Sequence, residues 1–204
     1  MKSNIFFDLD GTMINYLPVY VEFMNSFYDI KSQPDDYIDN QAPYFVIKKY
    51  RPDFQGSNYE VWFNVLHNFH MSYEWQDKIQ PFPDMCEVVR RLSKSYNLWV
   101  VTARPKNSLD TTKFLLEKHV SGCIRGICCV FEFVGGEISS WSKHDFVKDM
   151  PGRKILFIDD SKSEIVKMGD IVPSLLFDPF SSYINDRDAI SRISAWKEIE
   201  PILM

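Results

Sequence analysis

Five short, almost wholly apolar runs constrain the fold of this chain more than any other feature: Ile5 to Leu9, Leu98 to Thr102, Ile127 to Phe133, Ile155 to Ile158 and Ser174 to Phe177. They lack the strict alternation of a half-buried strand. Runs of this kind suit strands covered on both faces, which belong to parallel sheets wrapped by helices. The intervals agree. Met85, Val88, Val89 and Leu92 share one helical face after Pro83, Ser108 to His119 reads as a helix entered through Asn107 or Ser108, and Trp141 to Lys148 as a short amphipathic one. Strand alternating with helix predicts an α/β fold, a parallel sheet flanked by helices.

One interval breaks the alternation. From about Met13 to Gln80 no buried strand interrupts two helical patterns, Tyr20, Phe23, Met24 and Phe27, then Trp62, Val65, Leu66 and Phe69, with a Pro- and Asp-rich connector from Gln33 to Asp53 between them. This predicts a helical insertion at residues 13–80, within a sheet domain made of residues 1–12 and 81–204. The prolines of Gln80-Pro-Phe-Pro-Asp84 mark the return, because two prolines so close cannot continue a helix.

Charge and composition exclude several classes. Lys plus Arg is 23 against 28 for Asp plus Glu, a net charge of −5 with no general attraction for a phosphate backbone, so no polymeric nucleic acid is expected as partner. No apolar run approaches the ~18 residues of a membrane span, and the apolar amino terminus is broken by Asp8 and Asp10. The four cysteines, Cys86, Cys123, Cys128 and Cys129, include an adjacent pair whose side chains would point to opposite faces of a strand. Reduced, buried thiols and a cytoplasmic setting are the expectation.

In an open parallel sheet ligands bind beyond the carboxyl ends of the strands. The first strand delivers Asp8-Leu-Asp10-Gly11-Thr12, two carboxylates on one side of an extended chain and a glycine that lets the backbone turn away. Alone, such a pair also suits a surface loop. The second delivers Thr102-Ala103-Arg104-Pro105, whose hydroxyl and backbone N–H groups could hold an anion or cap the next helix. Another delivers Asp159-Asp160-Ser161, two acids that would repel at the end of a buried strand unless a cation sat between them and the first pair. Hard oxygen ligands without a Cys/His cluster suit Mg²⁺ better than zinc.

Together, Asp-x-Asp-Gly-Thr on the first strand, Thr102 on the second, Lys143 sixteen residues before Asp159, and Asp159-Asp160 resemble the four motifs of the haloacid dehalogenase superfamily of phosphohydrolases, over essentially the whole chain. The resemblance implies a Rossmann-like sheet with a C1-type helical cap inserted after its first strand. It implies that Asp8 is the nucleophile of an aspartyl-phosphate and Asp10 the general acid and then base. It places Mg²⁺ on Asp8, the Asp10 backbone carbonyl and Asp159, with Asp160 supporting, and the phosphoryl oxygens on Thr102, Ala103 and Lys143. Lys113 and Lys148 are alternatives for that lysine. Halide-displacing relatives lack a second acid at the position of Asp10, since chloride needs no proton to leave, so phosphoryl transfer is favoured.

Val101-Thr-Ala-Arg-Pro105, Phe157-Ile-Asp-Asp-Ser161 and the tail from Arg192 to Ile199 are most similar to the 5′(3′)-deoxyribonucleotidase family, which implies a small phosphate ester, a nucleoside monophosphate, as substrate. The insertion offers Tyr16, Phe23, Tyr44, Phe45, Trp62 and Phe63 for a base, of which about two are expected to touch it, the rest being core. Tyr16, Phe45, Trp62 and Arg104 are the specificity candidates, although Arg104 equally suits an anchor for its own loop. A sugar phosphate is the alternative substrate, and a catalytically silent binding module the alternative of another class. His67 and His70 lack the framework of a metal site, Gly135-Gly136 reads as a turn, and Ile190, Ile193, Trp196 and Ile199 as the stripe of a last helix docked on the sheet. The oligomeric state is left open, a dimer included.

Overall fold

The computed structural model describes residues 2–40, 43–134, 137–140, 142–183 and 190–203. Its strands are β1 (Asn4–Phe7), β2 (Ile14–Asn15), β3 (Gln80–Pro81), β4 (Asn97–Pro105), β5 (Ile124–Val134), β6 (Glu137–Ser140), β7 (Lys154–Asp159), β8 (Ser174–Phe177) and β9 (Arg192–Ile193). Seven form one sheet in the order β6-β5-β4-β1-β7-β8-β9, parallel except for β6, which runs antiparallel to β5. Each of the five apolar runs is a strand of this parallel sheet. The chain builds outward from β1 through β4 and β5, then crosses to β7 and β8, so strand order reverses beside β1. A crevice at such a switch point is where open α/β sheets bind ligands.

Alternation along β1 divides the core. Ile5 and Phe7 join the larger cluster with Leu98, Val100, Leu156 and Ile158, while Phe6 faces a second with Val101, Val130, Phe157 and Val147. Helices cover both faces: α1 (Leu17–Tyr28), α2 (Pro43–Tyr50), α3 (Asn58–Val65) and α4 (Tyr73–Lys78) lie between β2 and β3, and α5 (Met85–Leu92), α6 (Leu109–Val120), α7 (Lys143–Asp149), α8 (Lys162–Met168) and α9 (Ile199–Leu203) follow. No helix among the described residues is long and apolar enough to cross a membrane.

The helical stretch is entered and left through one narrow neck. Ile14 pairs with Pro81 and Asn15 with Gln80 in an antiparallel ribbon, and the Phe82 N–H donates to the Met13 carbonyl at 3.1 Å. Its two expected helices are present as α1 and as α3, which continues into a π-helical turn, Leu66–His70. The connector is more ordered than its composition predicts. Asp36 accepts hydrogen bonds from the Gln33 N–H at 2.7 Å and the Tyr50 hydroxyl at 2.6 Å, fixing a 3₁₀ segment, Pro34–Asn40, against α2. Of α2, Val46 and Ile47 are buried on this stretch, too short a stripe to register as periodic.

The carboxyl-terminal tail also departs from expectation. Arg192–Ile193 is not helical but pairs with β8, and Trp196–Glu198 is a 3₁₀ turn before α9 begins at Ile199. Ile193, Trp196 and Ile199 are all buried, so the apolar spacing is real, but Glu198 accepts from the N–H groups of Ser194 and Ala195 and folds the chain into a turn there. All four cysteines are free as expected, yet Cys129 alone of them is buried. Gly135 and Gly136 lie outside the described residues, as does Trp141 at the start of its expected helix.

Trp196 joins this tail to the first strand loop. It is fully buried between Phe7 and Phe177, and its indole N–H donates to the Thr12 carbonyl at 2.9 Å. Trp196→Ala should cost about 3 to 5 kcal/mol of stability in urea unfolding; a loss below about 1 kcal/mol would show the tail to be an independent appendage.

Candidate active site

The β1 and β7 strands end side by side, the Asp8 N–H donating to the Ile158 carbonyl at 2.8 Å. That register brings carboxylate oxygens of Asp8, Asp159 and Asp160 within 4.8 Å of one another. Asp8 is 4% exposed and Asp159 fully buried. Lys143 reaches them from the first turn of α7, which Ser142 and Asp145 start with a reciprocal capping box. Its Nζ donates to Asp8 Oδ1 at 2.6 Å and Asp159 Oδ2 at 2.7 Å. Lys113 instead projects from the outer side of α6 beside Asp110, and Lys148 is exposed, so Lys143 is the lysine that the fold delivers.

Gly11 lets the acids crowd together. At φ +84° it takes a conformation other residues avoid, and a Cβ there would lie 2.2 Å from Asp160 Oδ2. Thr12 is buried next to it and its hydroxyl donates to Asp160 at 3.4 Å. Asp10 turns elsewhere. Its carboxylate receives two parallel hydrogen bonds from Arg104, at 2.7 and 2.8 Å, and stands outside the three-acid group. Thr102 is buried, and the pairing register of β4 breaks between Thr102 and Pro105, so Ala103 stands exposed on the wall of the crevice.

Electrostatics separate the two acids of the first motif. Burial pushes the Asp8 carboxyl well above its ordinary range against the opposing pull of Lys143, and raises Asp159 against the same pull. Burial and then the adjacent Asp159 raise Asp160 to about 7. Burial disfavours the Lys143 charge, but the Asp8 and Asp159 carboxylates outweigh it and hold the ammonium. Burial would raise Asp10 too, yet the Arg104 guanidinium wins and keeps it below the usual carboxylate range. The three clustered acids face one ammonium, an excess of negative charge built from hard oxygen donors with no His or Cys among them. These residues fit Mg²⁺.

A cavity of about 600 Å³ opens over the carboxylates. Of the six candidate aromatics, Tyr16 and Trp62 line it. The structure does not bring Phe45 there: it is 62% exposed on the far side of α2, in ring contact with Tyr44. Phe63 also points outward, against His67, and Phe23 is core. Arg104 also lines the cavity, yet it is 2% exposed and its side chain is bonded to Asp10, Gln76 and Thr112.

Sequence reasoning missed several wall residues. Tyr20, Tyr37 and His70 line the cavity from the inserted helices and Phe131, Phe180 and Tyr183 from the sheet side. Phe180 was findable by the strand-end rule, since it lies three residues past β8 in a loop that Asp178 organises by accepting from the Ser182 and Tyr183 N–H groups. His70 does not pair with His67; burial and then Arg104 depress it to about 4, so it stands neutral in the wall.

Residues 3–169 match the haloacid dehalogenase-like hydrolases. The chain belongs to this family. No curated protein matches. Among solved structures, a haloacid dehalogenase-like family hydrolase from Streptococcus pneumoniae has a TM-score of 0.67 at 15% identity, covering 100% of this chain and 99% of that one. The HAD-hydrolase YfnB from Bacillus subtilis, bound to magnesium, has a TM-score of 0.67 at 12% identity, with 99% and 98% covered. A predicted phosphoglycolate phosphatase from Haemophilus somnus has a TM-score of 0.66 at 17% identity, with 100% and 98% covered. At these identities the likeness is one of fold.

Raised carboxyl pKa values have a thermodynamic consequence for this hydrolase. A group raised on folding contributes stability that is present below its unfolded value and lost as pH rises through its folded value, which for Asp160 is about 7. The metal-free protein should therefore melt lower at about pH 8 than at about pH 5, and Mg²⁺ should raise Tm more at the higher pH. No Mg²⁺ shift at either pH would show that the three acids do not form a cation site.

Proposed function

We propose that this hydrolase is a Mg²⁺-dependent phosphomonoesterase working through an aspartyl-phosphate, with a nucleoside monophosphate as substrate. The observation that carries the chemistry is the separation of Asp8 from Asp10. One carboxylate sits with Lys143, Asp159 and Asp160, the other on Arg104. Two acids two residues apart in different surroundings suit different roles.

Asp8 attacks phosphorus, forming its P–O bond as the bond to the leaving oxygen breaks. Asp10 gives that oxygen a proton, then takes one from the water that opens the acyl-phosphate. The negative charge of a bound ester favours the protonated Asp10 needed first, and Arg104 favours the ionised form needed second. Lys143, the Thr102 hydroxyl and the Ala103 N–H hold the phosphoryl oxygens. Asp8, Asp159, Asp160 and the Asp10 carbonyl would hold Mg²⁺, which when bound neutralises the charge that otherwise keeps an anionic ester from an anionic carboxylate.

Residues 13–80 act in this proposal as a C1-type cap on a core of residues 1–12 and 81–204, a division supported by the single β2–β3 neck. Its aromatic wall carries the choice of substrate, because flat rings at Tyr16 and Trp62 suit a base. A cytoplasmic setting fits four free thiols. A second reading, a small sugar phosphate or phosphoglycolate, is favoured by the neighbours called phosphoglycolate phosphatases, which the chain spans almost end to end.

A panel of nucleoside monophosphates, sugar phosphates and phosphoglycolate with Mg²⁺ separates the two, the proposal requiring that a nucleotide be turned over best. Asp8→Asn should remain folded and keep less than about a hundredth of wild-type kcat, and more than that would remove Asp8 as nucleophile. Trp62→Ala should lower kcat/KM on nucleotides about ten- to a hundredfold while sparing p-nitrophenyl phosphate, and Phe45→Ala should change neither. Equal losses on both esters for Trp62→Ala would show that this ring merely packs.

A further inference from the structure

Arg104 is 2% exposed and Gln76 completely buried, yet the Asp10 side chain they lead to is 20% exposed in the cavity. From Arg104, Nε and one terminal nitrogen grip both oxygens of Asp10, and the other terminal nitrogen donates to Gln76 Oε1 at 2.7 Å and Thr112 Oγ1 at 3.3 Å. Gln76 belongs to α4, in the helical stretch between β2 and β3, and its amide N–H donates to the Phe69 carbonyl in the π-helical turn at 3.0 Å. The amide is thus fixed at both ends, its oxygen aimed at Arg104. An unbroken file of hydrogen bonds joins the inserted helices to Asp10.

A purely structural ion pair has no need to leave one partner facing a cavity. Buried pairs of that kind contribute little net stability, since desolvation offsets their attraction. A planar fork does, however, fix a carboxylate in orientation as well as position. We infer that Arg104 and Gln76 are positioning residues for Asp10: Arg104 sets the plane of its carboxyl group toward the leaving oxygen, and Gln76 makes that setting depend on the seating of the inserted helices. The inference rests on the phosphatase reading and on Asp10 as its proton donor. It concerns the Arg104 side chain; the Arg104 backbone N–H separately meets the phosphoryl-binding end, donating to Thr102 Oγ1 at 3.2 Å. Glycerol phosphate needs a proton on its leaving oxygen, whereas p-nitrophenyl phosphate releases a stable anion without one. Loss of positioning therefore lowers kcat/KM, which reports the steps up to departure of the leaving group, on the first ester and spares it on the second, while the water-opening step in which Asp10 is the base is common to both.

The test compares kcat and KM of the full chain with Mg²⁺ on these two esters, for wild type, Gln76→Leu, Arg104→Lys and Arg104→Ala, each checked for a cooperative melt. Gln76→Leu keeps the volume and loses the carbonyl; Arg104→Lys keeps the charge and loses the fork. Both should lower kcat/KM on glycerol phosphate at least about tenfold more than on p-nitrophenyl phosphate, any fall from the slower water-opening step being shared by the two esters in kcat. Equal kcat/KM losses on the two esters, or failure of every variant to melt cooperatively, would overturn the positioning role and leave a structural pair or a substrate contact. A wild-type chain inactive on both esters would overturn the phosphatase reading, and this inference with it.

Discussion

Lys143 and the two carboxylates it bridges are the interaction on which the rest depends. Asp8 and Asp159 terminate adjacent central strands, both out of water, and one ammonium lies 2.6 and 2.7 Å from them. Packing β1 against β7 is favourable for the apolar residues before these acids and unfavourable for the acids themselves. Phe6, Phe157 and Ile158 are fully buried only if Asp8 and Asp159 are brought together too. Removing the ammonium would leave two uncompensated carboxylates in a dry site, a penalty of several kcal/mol. The sheet's stability thus supports a cluster that is unstable on its own, and three carboxyl groups facing one ammonium are what a cation can use.

That coupling explains which parts were legible. The five apolar runs mark β1, β4, β5, β7 and β8 because strands buried on both faces have no polar positions to dilute them. The acids after β1 and β7 stand out against those runs for the same reason. Choosing Lys143 over Lys113 needed the direction of α7, which a capping box at Ser142 fixes locally; eleven residues after Thr102, Lys113 is exposed on α6 and paired with Asp110.

The illegible parts are those where burial is decided by a distant partner. Arg192 and Ile193 become β9 because β8 offers an open edge, and nothing in their own spacing says so. Phe45 and Trp62 are equally aromatic and equally placed in the insertion, yet α2 turns the first outward and α3 the second toward the cavity. Periodicity identifies an apolar face and is silent about whether that face meets core, solvent or ligand. Arg104 shows the same limit in polar form: a cationic side chain at a strand end suits a phosphate, and only the positions of Asp10, Gln76 and Thr112 show that its donors are already engaged.

Those engaged donors divide the site into two electrostatic compartments two residues apart in sequence. Asp8 belongs to a compartment with surplus negative charge, Asp10 to one in which a guanidinium matches it. Gly11 is the hinge between them: its positive φ turns the chain so that Asp160 can approach where a side chain would otherwise stand. Nothing at the phosphoryl end distinguishes one ester from another, since carboxylates, a hydroxyl and an ammonium meet only oxygen and phosphorus. Selectivity must enter through what covers that end. The inserted helices supply Tyr16, Tyr20 and Trp62 as wall and Gln76 as the support of Arg104, so in the proposed reaction the segment meeting the leaving group would be bonded through Arg104 to the acid that protonates it.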